Sequence, residues 1–75
     1  MFQYLPFENE AASPYIGVYR TFGLRVLQIR NGFEDEVMLL PDISTSFSFV
    51  LRLADVLTRK QLDPIHLLDV MEDLL

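Results

Sequence analysis

The sequence predicts an α+β domain, a small antiparallel sheet of about three strands followed by a C-terminal helix hairpin packed on one face. Three observations carry that reading. Residues 15–30, YIGVYRTFGLRVLQIR, are rich in β-branched and aromatic side chains, which fit a pleated, half-buried surface. Asn31-Gly32 follows at once, and this dipeptide is a strong hairpin signal because a type I′ turn needs positive φ at both central residues. After Ser44 the apolar residues switch to helical spacing, and Asp63-Pro64 restarts that spacing after a break.

Residues 1–13, MFQYLPFENEAAS, sustain no period. They are expected to form an N-terminal arm, either partly disordered or docking Phe2, Tyr4 and Phe7 on a neighbouring chain. Residues 14–75 then make a single α+β domain. Gly23 is expected to separate two strands near 15–21 and 24–30, with EVMLL, Glu36 to Leu40, as the next strand. Two registers stay open. A two-residue turn at Asn31-Gly32 pairs Val26 with Val37, whereas a wider loop through GFED pairs Ile29 with Met38.

PDIS ends the sheet, and Ser44 is a good N-cap for a helix over about 45–60. At roughly 100° per residue, its apolar side chains from Phe47 to Leu57 sweep an arc of about 220°. An ordinary surface helix needs a stripe a little over about 100° wide, so this helix is expected to be buried on two sides. One side faces the sheet; the other meets the last helix or another subunit. The candidate interface residues are Phe47, Phe49, Leu53, Val56, Met71 and Leu74. Asp63 reads as an N-cap and Pro64 as the first position of a last helix over 64–74, since proline loses no hydrogen bond there.

The chain has 75 residues, no cysteine and 51% hydrophobic side chains. Disulfides and thiolate metal sites are excluded, and one small core is marginal at this length. The apolar surplus therefore predicts a homo-oligomer, most simply a twofold dimer. A net charge of -5 with six scattered basic residues argues against a nucleic-acid partner. No apolar run approaches the roughly 18–20 residues of a membrane span. The first residues, MFQYLPFENE, lack the features of a secretory signal, so a cytoplasmic location is expected.

No catalytic constellation emerges. Ser44, Ser46 and Ser48 sit where capping explains them, the three glycines are scattered, and the acidic run Glu34-Asp35-Glu36 reads as a solvated loop tip. Arg52 and Arg59 flank Asp55 at helical spacing, which suits surface ion pairs. The one cluster with site-like geometry is His66, Asp69 and Asp73, spaced i, i+3 and i+7. Joined by Glu34 or Glu36 from another chain, such a set suits Mn²⁺ or Zn²⁺. The polar side of an amphipathic helix explains it more simply, and His66 also holds the position where Glu or Gln would close a capping box.

The stretch PDISTSFSFVLRLADVLTRKQLDPIHLLDVMEDLL resembles the C-terminal half of an uncharacterised family of small bacterial proteins, a domain of unknown function common in gut Firmicutes. The resemblance is carried by Asp42-Ile43-Ser44 entering a helix, Val50 and Leu53 within it, then Leu62, Pro64, His66-Leu67, Asp69-Val70 and Glu72-Asp73. A preceding Tyr-Gly-Ile-like strand signature has its counterpart in Tyr15-Ile16-Gly17-Val18. The resemblance implies a strand-then-helix protein of a bacterial cell and no activity, and it marks His66 and Asp69 as motif positions. The function expected is a non-enzymatic interaction or self-association module of a bacterial cytoplasm, without cofactor. The alternative is a small-ligand or divalent-metal regulator on the polar face of the last helix.

Overall fold

The computed structural model describes residues 1–74. Strands β1 (Phe2–Ser13), β2 (Gly17–Arg30) and β3 (Phe33–Ser44) are followed by α1 (Phe47–Arg59), a 3-10 turn (Pro64–His66) and α2 (Leu67–Leu74). The sheet is antiparallel in the order β1-β2-β3. The α+β architecture expected from the sequence is therefore present, with both helices after the sheet.

The N-terminal segment corrects the sequence reading. Residues 2–13 are not an arm but the first strand, paired along their whole length with β2 from Phe2↔Gln28 to Ser13↔Gly17. Phe2 and Tyr4 are fixed at the outer edge by side chains at and just after the end of α1. The Thr58 hydroxyl accepts from the Tyr4 N–H at 2.9 Å and donates to the Tyr4 carbonyl at 3.3 Å. The Gln61 amide does the same for Phe2, accepting at 2.8 Å and donating at 2.9 Å. Gln61 reaches this position because it ends α1 in the left-handed region, φ 52.

Gly23 does not divide two strands; β2 runs unbroken through it. Its role is close approach. A Cβ there would lie 2.0 Å from the Leu40 carbonyl oxygen and 2.9 Å from the Phe7 ring, so only glycine lets β3 fold so near β2. The pairing with β3 is irregular at the same place, passing from Phe22↔Ser44 to Leu24↔Leu40. The polar side chains there are satisfied internally. The Thr21 hydroxyl, fully buried, donates to Asp42, which also accepts from the Tyr19 hydroxyl at 2.9 Å.

The hairpin turn is the two-residue one: Arg30 pairs with Phe33 across Asn31 (φ 49) and Gly32 (φ 83). A bulge between Val26 and Leu27 then shifts the register by one, so Val26 faces Met38 rather than Val37. Neither simple register describes the pair.

Helix α1 starts two residues later than predicted. Ser46, not Ser44, is the N-cap and accepts from the Phe49 N–H at 3.3 Å. The Asp63-Pro64 signal holds: Asp63 Oδ1 accepts from the Ile65 N–H at 3.1 Å, though the first turn is 3-10 before α2 begins at Leu67. The buried residues of α1 are Val50, Leu53, Ala54 and Leu57, one stripe at i, i+3, i+4 and i+7. Within one chain a single side of α1 is fully buried, and Phe47 and Leu51 remain about half exposed. The core joins that stripe to Tyr4, Leu24 and Val26 of the sheet and to Leu67 and Met71 of α2. Each such buried aliphatic side chain stabilises the fold by about 1.5–3 kcal/mol. The Tyr4 hydroxyl reaches through this core and donates to the Leu62 carbonyl at 2.6 Å, tying strand to interhelical turn.

The molecule measures 45 × 25 × 20 Å. That elongation follows from rise per residue: strands extend about 3.3 Å per residue but a helix only about 1.5 Å. Helix α1 runs from Phe47, whose ring meets Phe22 at 5.2 Å, to Thr58 beside Tyr4. The far end of the β1–β2 hairpin lies beyond it, with Tyr15, Ile16 and Val18 strongly exposed.

Candidate interaction surfaces

His66 ends the 3-10 turn, Asp69 lies in the first turn of α2, and Asp73 lies near its end; all three are exposed. The His66 backbone N–H donates to the Asp63 carbonyl at 3.0 Å, so its capping contribution comes from the main chain. Among the described residues, no group of three or more histidine, aspartate or glutamate side chains is placed to hold a metal ion. Glu34 and Glu36 lie on β3, in another part of the chain from this cluster.

The six candidate interface residues divide. Leu53 and Met71 belong to the core, 8% and 6% exposed. Phe49, Val56 and Leu74 line a groove of about 330 Å³ between α1 and α2, with Leu53 at its floor and Arg52 at its rim. Phe47 stands apart at the start of α1, packed on Phe22. The groove exists because α1 presents more apolar surface than α2, only eight residues long, can cover.

A second apolar surface escaped the sequence reading. Successive side chains of a strand point to opposite faces of a sheet. Tyr4, Leu24 and Val26 point into the helix layer, so Leu5, Phe7, Arg25, Leu27 and Ile29 point away from it. Leu39, opposite Arg25, shares that face and is 48% exposed. None of these joins the core, and both helices lie on the other side. An Arg25–Glu36 ion pair at 2.9 Å crosses the middle of the face. The signal was present as the alternation of apolar residues on both parities of β2. It was masked because the same residues also suit a strand covered on one face only.

The third surface is the outer edge of β3. The segment 33–44 carries Glu34, Asp35, Glu36 and Asp42 and no lysine or arginine. Beside it lies a pocket of about 330 Å³ lined by Phe2, Gln28, Val37, Met38, Asp63, Pro64 and Ile65. Ile65 is 76% exposed and Val37 43%, so this pocket has accessible apolar walls beside the polar Gln28 and Asp63.

Two titratable groups are perturbed. Burial, with the nearby Asp63 charge adding to it, pushes the Tyr4 hydroxyl up to about 12. The hydrogen bond to Asp42 raises Tyr19 above its ordinary value. Both tyrosines act as structural donors to oxygen acceptors, and neither faces a nucleophile or a cleft. No helix among the described residues is long and apolar enough to cross a membrane.

No curated protein and no solved structure matches the chain. A family model, described as a family of unknown function (DUF6514), matches residues 2–75, which includes the first strand as well as the helical half that carried the resemblance. The chain therefore belongs to this family of unknown function, DUF6514.

Proposed function

We propose that the protein is a non-enzymatic interaction module that self-associates as a twofold dimer in a bacterial cytoplasm. The observation that carries this reading is the helix-free face of the sheet, where Leu5, Leu27 and Ile29, partly exposed, gather beside the exposed Leu39 with no helix over them. Two such faces pack about 10 Å apart in sheet-on-sheet assemblies, with apolar side chains interdigitating. The Arg25–Glu36 pair on that face sets the register of the two copies, because a slipped dimer leaves charges without partners.

Light scattering on a size-exclusion column, over a hundredfold range of loading concentration, tests the proposal. A dimer is expected for the wild type and a monomer for Leu27→Glu, with Leu74→Glu in the interhelical groove remaining dimeric. A monomeric wild type at every concentration sinks the idea. Loss of the dimer in Leu74→Glu but not in Leu27→Glu moves the interface to the helices.

A further inference from the structure

The two edges of the sheet are built differently. At β1 the outward N–H and C=O groups of Phe2 and Tyr4 are occupied by Gln61 and Thr58. Outward groups recur at every second residue of an edge strand, so the next in line is Pro6, which has no N–H to offer. From Phe2 to Pro6 that edge is closed to another strand. At β3, side-chain hydrogen bonds to the backbone occur only at Pro41 and Ser44 among the described residues, leaving Glu34–Leu39 uncapped. Helix α1 lies chiefly against β1 and only lightly against β3.

We propose that the β3 edge at Glu34–Leu39, with the partly apolar pocket beside it, takes up an extended basic segment of a partner protein as a fourth strand. In strand addition the main-chain bonds supply affinity and pockets for alternate side chains supply specificity. Both parts are present here. Val37 and Met38 belong to the edge and also line the pocket, whose remaining apolar walls are Phe2, Pro64 and Ile65. One apolar side chain of the added strand sits there, and its neighbours point to the opposite face. The charge of the occupant follows from the acids: Glu34 and Asp35 lie at this edge, Asp63 lines the pocket, and Glu36 alone has an arginine beside it. The bulge near Val37 and the proline at position 41 keep the new ladder short, so charge and pocket must select the partner.

A second copy of this chain does not fit. Its β3 carries the same acids, and like charges facing each other across paired strands are destabilising. Its β1 edge is closed from Phe2 to Pro6 and carries Glu8 and Glu10 beyond it, acids again. The occupant is therefore another chain, and the inference is independent of self-association through the bare sheet face.

Selection of short random peptides displayed on phage, followed by amide chemical-shift mapping with the best synthetic peptide, tests the proposal. Selected peptides are expected to carry lysine or arginine around one apolar residue and to shift the amides of residues 34–39 and Ile65. Ile65→Lys and the double variant Glu34→Lys/Asp35→Lys change exposed side chains and keep the fold. Each is expected to weaken binding by about tenfold or more, equivalent to about 1.4 kcal/mol. Added salt is expected to weaken it as well. No enrichment, acidic peptides, shifts centred on the interhelical groove or the bare face, or unchanged binding by both variants would overturn it.

Discussion

The β1 and β3 edges of one three-stranded sheet show two ways of treating unpaired backbone. At β1 two side chains from the end of α1 imitate a neighbouring strand, each giving and taking one hydrogen bond. At β3 the devices are a bulge, a proline and a run of carboxylates, none of which occupies the backbone of Glu34–Leu39. The difference teaches that closing an edge needs a second element at the right distance. A chain with a single 13-residue helix over its sheet has enough helix for one edge. The other edge is left to charge, which repels copies of itself and attracts what is oppositely charged.

The largest effect is expected at Gly23, where the β3 backbone comes closest to β2. Gly23→Ala puts a methyl against the Leu40 carbonyl oxygen and forces the two strands apart. A loss of about 3 kcal/mol or more in denaturant unfolding is expected, with exchange protection lost first in β3. Retained stability would mean that the β2–β3 pairing adapts more freely than the close approach implies.

Opening the closed edge comes next. Thr58→Val keeps the shape of the side chain but leaves the Tyr4 N–H and C=O without partners. A loss of about 1–3 kcal/mol is expected, together with concentration-dependent association through β1. If the variant unfolds at the wild-type midpoint and stays as soluble, the side-chain imitation of a strand is decorative.

Tyr4 sharpens the same comparison from inside the core. Removing its hydroxyl in Tyr4→Phe orphans the Leu62 carbonyl and is expected to cost about 1 kcal/mol near neutral pH. Its pH signature is specific. The folded value, about 12, lies above the ordinary 10.0, so the folded state holds the proton more firmly. The stability tied to that proton is complete below pH 10 and is lost as pH rises from about 10 to about 12. Melting temperatures across that window are expected to fall more steeply for the wild type than for Tyr4→Phe; parallel curves would remove Tyr4 as the cause.

The smallest change in stability belongs to Pro6→Ala, which restores an outward N–H on β1. Stability is expected to move by less than about 1 kcal/mol, because the proline makes no ladder bond there. Association through that edge is expected to rise, measurable by light scattering. An unchanged monomer–oligomer balance would assign edge closure to Thr58 and Gln61 alone.

Local chemistry was legible wherever a few neighbouring residues decide the outcome. Asn31-Gly32 located the turn without fixing its length, Asp63-Pro64 marked the start of the last helical segment, and the β-branched run of β2 marked its strand. Residues 2–13 were not legible. Half of β1 reaches past the helices, so its sequence carries no continuous buried face, and Pro6 argued against a strand that is in fact an edge. Gly23 misled for a related reason: a glycine that ends a strand and one that admits a crossing backbone look alike until the partner is known. For the surfaces, the helical candidates Phe49, Val56 and Leu74 were visible as excess apolar arc, whereas the bare sheet face and the open β3 edge were not.

By itself the sequence determined the strand character of β2 and β3, the two helical segments, the order of sheet before helices and the cap at Asp63. These depend on backbone preferences and hydrogen bonds within a few residues. Only the tertiary structure decided that β1 is a strand, that Val26 meets Met38 across a bulge, and which edge is closed. Each of those rests on contacts between residues far apart in the chain, such as Tyr4 with Thr58 and Gly23 with Leu40. Their energy exists only when the sheet and helix layer are assembled together.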